Sequence, residues 1–195
     1  MDIYDHLPAN EWLTKGLEYS VNNISVAGII DPIKNVKSID LIGIEIGVCC
    51  GVSTEFLCRN LTNLKILFAV DNYPTYIDWD GTKLTDERQK VIKEHAQQRL
   101  AKYSNIKLIY ENSSKFSEAI PNNLVDFIFI DGDHSYNGII NDLNNYWPKV
   151  KTGGVFAGHD VNLPNVNCAI YDFFGKDLVA KIIVTVNNGW YIIKP

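Results

Sequence analysis

Five apolar runs of strand length, separated by segments of helical period, constrain this chain more than any other feature. They are "IDLIGIEIG" (39–47), "LKILFAVD" (64–71), "IKLIYE" (106–111), "VDFIFID" (125–131) and "GGVFAGHD" (153–160). A strand with one wet face alternates apolar and polar residues. A run that is apolar throughout suits a parallel sheet covered by helices on both sides. Between the runs, Ile92, Ala96, Leu100 and Tyr103 recur at helical spacing. Ile139, Ile140, Leu143, Tyr146 and Trp147 do so again before Pro148 stops that helix. Near the end, two β-branched runs flank "NNG", a strong hairpin signal. The expected fold is α/β: a doubly wound, mostly parallel sheet closed by a C-terminal antiparallel hairpin.

Length and charge narrow the class. A chain of 195 residues suits one domain. Residues 1–37 read as a helical cover, where Trp12, Leu13, Leu17, Val21 and Ile24 make an apolar stripe. Residues 38–162 read as the core, and 163–195 as a closing helix and hairpin. A formal net charge of −5 argues against a general phosphate-backbone binder, so no nucleic acid is expected as partner. No apolar stretch reaches the roughly 20 residues of a membrane span, and the acidic start "MDIYDHLPANEW" lacks a signal-peptide core. The four cysteines, Cys49, Cys50, Cys58 and Cys168, match no zinc spacing. Reduced thiols and a cytoplasmic location are the expectation.

In open α/β sheets, ligands bind beyond the carboxyl ends of the strands, where strand order reverses. The first run ends in "EIGVCCGVST" (45–54). Gly47 and Gly51 permit a sharp turn and close backbone approach, and Ser53 and Thr54 are placed to cap the next helix. Cys49 stands where a dinucleotide fingerprint has its middle glycine, so a pyrophosphate cradle is not indicated. The second run ends in Asp71, twenty residues after Gly51. An acid there accepts hydrogen bonds from a ribose diol, or caps the "DNYP" turn. After the third run, Asn112 or Ser113 reaches an adenine edge or simply caps a helix over 114–120. A nucleoside without phosphates fits these features best.

The fourth and fifth runs end in "DGDH" and "GHD". If these strands are neighbours, about 4.8 Å apart, Asp131 stands beside His159 and Asp160. Those three suit a divalent metal with open positions for substrate. His134 overhangs the same crevice and can take a proton near neutral pH. The plainer reading makes Asp131 a turn cap and His159 a hydrogen-bonded structural residue.

Together, "EIGVCCGVST", "AVDNY", "DFIFIDGDHSY" and "KTGGVFAGHD" resemble the class I S-adenosylmethionine-dependent methyltransferases. The likeness is to the small-molecule O-methyltransferase branch that holds the catechol and macrolide-sugar types, over roughly residues 38–162. The resemblance implies a Rossmann-like seven-stranded sheet whose last hairpin inserts antiparallel. It implies that Glu45, Gly47 and Gly51 surround the methionyl part of the cofactor, Asp71 the ribose and Ser113 the adenine. Metal-dependent relatives carry a metal-binding acid where Asp131 stands, a lysine at His134, and an Asp-Asn pair at His159-Asp160. A histidine ligand would loosen a preference for magnesium towards manganese or zinc. The implied catalytic residues are Asp131, His134 and His159, acting on a hydroxyl of a small molecule or sugar.

Two other functions fit the pattern less well: a nicotinamide-dependent oxidoreductase, and a catalytically silent nucleoside-binding protein. The loop 72–85, with Tyr73, Tyr76 and Trp79, reads as a substrate lid or as sheet-edge packing. With little inserted material to build a pocket, a homo-oligomer that completes it is a further expectation.

Overall fold

The structure is a computed structural model that describes residues 8, 9, 11, 13, 24–77, 81 and 83–195. A short helix α1 (Ile30–Lys34) leads into β1 (Leu41–Ile46), and α2 (Val52–Asn60) follows. Then come β2 (Leu64–Val70), the small pair β3 (Tyr76–Ile77) and β4 (Lys83–Leu84), and α3 (Asp86–Leu100). The chain continues through β5 (Ile106–Ile109), α4 (Ser113–Glu118), β6 (Val125–Ile130), α5 (Tyr136–Tyr146) and β7 (Val150–Gly158). Helix α6 (Pro164–Val179), β8 (Ile183–Val184) and β9 (Trp190–Ile193) complete it.

Seven strands form one sheet in the order β5-β2-β1-β6-β7-β9-β8, while β3 and β4 pair separately. Strands β5 to β7 run parallel and β9 enters antiparallel against β7, with β8 antiparallel to β9. The expected Rossmann-like, doubly wound sheet is therefore what the chain builds. Strand order reverses between β1 and β6, which opens the crevice that matters here.

Each central strand divides its side chains between two cores. From β6, Ile128 and Ile130 join the layer under α5 and α6, whereas Phe127 and Phe129 join the layer under α1 and α2. All six β6 residues are buried, which explains a run that is apolar apart from Asp126. Trp190 seals the far side, 1% exposed, tilted against Phe156 and edge-on to Phe174. Removing such a ring costs about 3–5 kcal/mol.

Several expectations shift at their edges. The turn between β8 and β9 spans Thr185–Gly189, wider than the expected "NNG", and is closed by the Thr185 N–H donating to the Gly189 carbonyl at 2.7 Å. Asn187 and Asn188 both take positive φ, which their short polar side chains tolerate. The helix expected over 114–120 starts at Ser113, with Asn112 as its cap accepting from Ser114 N at 2.9 Å. Of the N-terminal stripe, Leu13 is buried and Ile24 packs on the α1 layer, while Trp12, Leu17 and Val21 lie outside the described residues. Among the described residues, no helix is long and apolar enough to cross a membrane.

Candidate active site

The strand exits share one rim because the backbone ladder runs a step beyond each strand. Asp71 N–H bonds the Ile109 carbonyl, Gly47 the Val70 carbonyl, Asp131 the Ile46 carbonyl and His159 the Ile130 carbonyl, all at 2.8–3.0 Å. Asp71, Gly47, Asp131 and His159 therefore stand side by side across four strands. This is the alignment that the loaded strand ends imply.

The β1 exit is a turn made by backbone geometry. Gly47 (φ 86), Cys49 (φ 49) and Gly51 (φ 77) are all left-handed. At Gly47 a β-carbon would fall 2.0 Å from the Asp131 carbonyl oxygen, so only glycine lets β1 and β6 close on each other. Cys49 holds the conformation usual for the glycine it replaces, at a cost in strain. Helix α2 starts with Gly51 as its cap, without a side-chain cap bond. Ser53 and Thr54 are thus inside the first turn, which corrects their expected role as caps. The Ser53 hydroxyl shares a 2.8 Å hydrogen bond with Ser25, and Thr54 is buried facing Glu45.

Asp71 locks that turn from β2. One carboxylate oxygen accepts from Val48 N and Cys49 N at 3.0 Å each, and the other accepts from Tyr73 N at 2.7 Å. Its pKa is nevertheless raised, because burial outweighs those three bonds. The Tyr73 hydroxyl donates to the Cys49 carbonyl at 3.0 Å, so the start of the loop expected as a lid is pinned to the turn. Leu84, at its end, packs with Leu13, Cys50 and Ile92. Trp79 lies outside the described residues.

Glu45, one residue before β1 ends, is 0% exposed, and among the described residues neither carboxylate oxygen has a hydrogen-bond partner. Burial pushes its pKa up to about 8. The Thr54 hydroxyl lies near enough to oppose that rise, yet its own oxygen also lacks a bond of ordinary geometry. A dry carboxyl beneath a glycine turn is costly unless a ligand cation completes it.

On the β6 and β7 side the groups are side chains in mutual contact. His134 Nε2 lies 2.9 Å from Asp160 Oδ2 and 3.6 Å from Asp131 Oδ1. His159 Nδ1 lies 3.1 Å from Asp160 Oδ1 and 3.7 Å from Asp131 Oδ1. One atom each from Asp131, His134 and Asp160 converge within 4.8 Å of one another. With ligand bonds of about 2.0–2.2 Å, a divalent ion spans most of that separation. The convergent trio contains His134, whereas the expected ligand set has His159.

The Nε2 of His159 meets the Asn187 carbonyl. A carbonyl only accepts, so Nε2 carries the hydrogen and Nδ1 faces the two acids. Burial works against a charged ring, but Asp160 and then Asp131 raise the His159 pKa above its ordinary value. Burial likewise disfavours a charged Asp160, but His134 and His159 hold that carboxyl well below the usual range. Asp160 has φ 56, so the chain accepts backbone strain to aim it. The β8–β9 turn braces this cluster: Val161 N–H donates to the Asn188 carbonyl at 3.1 Å.

Ser113 does not point freely into the crevice. Its hydroxyl donates to Asp142 Oδ1 at 2.7 Å, and Tyr146 OH donates to the Ser113 carbonyl at 2.6 Å. Asp142, 3% exposed, escaped the reading of the sequence although it shares the buried face of α5 with Ile139 and Tyr146. An acid at a core register of a helix was the available signal.

A methyltransferase-domain family model matches residues 44–161, and the chain belongs to that family. The uncharacterized protein R132 of Acanthamoeba polyphaga mimivirus is 32% identical over 122 residues, covering 62% of this chain and 52% of that one. The chain thus spans about half the length of this curated relative. The O-methyltransferase NovP has a similar fold, with TM-score 0.60 and 19% identity over 92% of this chain and 79% of NovP. An rRNA methylase from Streptococcus thermophilus gives TM-score 0.55 and 13% identity, over 83% and 89% of the two chains.

Proposed function

We propose that the protein transfers the methyl group of S-adenosylmethionine to a hydroxyl of a small molecule or sugar, assisted by a divalent metal. The observation that carries this reading is Glu45: a dry carboxyl, without a hydrogen-bond partner among the described residues, below the Gly47 turn in a chain of the methyltransferase-domain family. The residues fit the cofactor. Glu45 would face its ammonium, the Gly47–Gly51 turn would lie along the methionyl part, and Asp71 would border the ribose. The bound cofactor supplies a methyl group already activated on sulfonium. The family match leaves no feature that favours the nicotinamide-dependent alternative.

The protein's own work is then positioning and proton removal. Holding a nucleophile in line contributes about 7–11 kcal/mol. Asp131, His134 and Asp160 would hold the cation, which lowers the pKa of a coordinated hydroxyl. His159 would collect the proton at Nδ1, since the Asn187 carbonyl keeps its other nitrogen protonated. His134 is the competing base, and variants at the two histidines separate the roles. Oxygen is favoured over carbon as nucleophile because a carbon centre has no need of this acid–imidazole cluster. A second subunit would complete the acceptor pocket, and a monomeric, fully active species by light scattering would contradict that.

A thermal-shift screen with S-adenosylmethionine, S-adenosylhomocysteine, NAD and divalent metals tests the reading. Stabilisation by the two sulfur nucleosides, increased by Mg²⁺ or Mn²⁺ and not matched by NAD, is the expected result. Stabilisation by NAD alone would overturn it.

A further inference from the structure

Among the described residues, three acids are almost wholly buried, and they differ in how they are satisfied. Asp126, at the start of β6, accepts from Ile42 N and pairs with Lys151 Nζ, each at 2.8 Å. Glu45 belongs to the methionyl end of the site. Asp142 is half satisfied: Oδ1 accepts from Ser113, and Oδ2 has no hydrogen bond among the described residues. Burial pushes its pKa up to about 6, against the Ser113 bond and with help from Asp133.

The second oxygen lies beside Gly132, at the exit of β6. A β-carbon placed on Gly132 would lie 3.3 Å from Ile46 Cγ2, 3.9 Å from Gly47 N and 4.0 Å from Asp142 Oδ2. Oδ2 therefore borders the space between the β5 exit, where Ser113 sits, and the β1 and β6 exits at Gly47 and Gly132. That space adjoins the stretch of rim assigned above to a ribose at Asp71. Gly132 has no side chain to close it. Ser113 is held from below by two α5 residues, Asp142 and Tyr146, so the wall is rigid.

We propose that Asp142 reads the purine of the cofactor, with Oδ2 accepting a hydrogen from the exocyclic 6-amine. This assignment rests on the proposed function. It makes Asp142 a specificity residue: a 6-oxopurine presents an acceptor there, and two acceptors facing each other repel. Ser113 is then a positioning residue that holds the carboxylate's other oxygen, rather than itself a reader of the base edge.

The test is calorimetric titration of S-adenosylhomocysteine and S-inosylhomocysteine into the wild type and two variants. The wild type is expected to prefer the adenine compound at least about tenfold, the size of one well-placed hydrogen bond to a charged group. In D142A the two affinities should converge to within about threefold, since the discriminating acceptor is gone. The double variant S113A/D142L removes both partners of the buried bond together and supplies the same ratio if D142A does not fold. A wild-type ratio near one, or an unchanged preference in either variant, overturns the assignment while leaving the cofactor reading intact. A wild type that binds neither compound removes the cofactor reading itself, and the assignment with it.

Discussion

The two halves of the crevice are built by different means. On the β1–β2 side the surface is backbone: a turn of left-handed residues, clamped by Asp71 through three N–H groups. On the β6–β7 side it is side chains, two imidazoles and two carboxylates within 2.9–3.7 Å of one another. A backbone turn is permissive about side chains and strict about conformation, as Cys49 in a glycine's geometry shows. A side-chain cluster is the reverse, so under the proposed function it would carry the chemistry and the first half would carry the cofactor.

Substitutions on the two sides should therefore separate binding from turnover. The largest effect is expected for His159→Ala. Turnover, read as S-adenosylhomocysteine release with hydroxylated acceptors, should fall about 10²–10⁴-fold, while cofactor affinity stays nearly unchanged. His134→Ala should instead weaken Mn²⁺ binding, followed by electron paramagnetic resonance. If His134→Ala leaves Mn²⁺ affinity intact and removes turnover, the two histidines exchange roles.

Gly47→Ala probes the other half. With positive φ and a β-carbon 2.0 Å from backbone, it should cost at least about 2 kcal/mol, a fall of roughly 4–8 °C in Tm, together with cofactor binding. Normal binding and stability in this variant would mean that the turn is not the seat.

Glu45 predicts a pH signature. Its folded pKa of about 8 lies above its unfolded value, so the folded state retains a proton that the unfolded state has lost. Its contribution is fully present below the unfolded pKa, declines as pH rises, and is gone above about 8. Glu45→Gln should flatten that decline, by up to about 1.4 kcal/mol per pH unit, in denaturation series between pH 5 and 9. An identical slope in the variant would show that Glu45 is already ionised. The smallest effect is expected for Cys49→Gly, which relieves strain and raises stability by at most about 1 kcal/mol. A loss of cofactor binding there would make the thiol a contact.

Much of this was legible in the residues. Runs apolar on both faces, such as "VDFIFI", have no stable home except a covered parallel sheet, and they placed Asp71, Asp131, His159 and Asp160 at strand exits. Other features were hidden because they depend on a single dihedral or register. Gly51 adopts the left-handed cap itself, which moves Ser53 and Thr54 inside the helix. Asp142 sits among apolar neighbours on α5 and reads as a break in the pattern until Ser113 is brought against it. The choice between His134 and His159 hangs on the Asn187 carbonyl, from a turn far along the chain.

The most direct measurement is a crystal structure with S-adenosylhomocysteine and Mn²⁺, using anomalous scattering to find the metal. The account predicts the homocysteine ammonium against Glu45 and the Mn²⁺ peak among Asp131, His134 and Asp160, both in the one crevice between β1 and β6. A nucleoside seated elsewhere, or Mn²⁺ bound away from those acids, would contradict it.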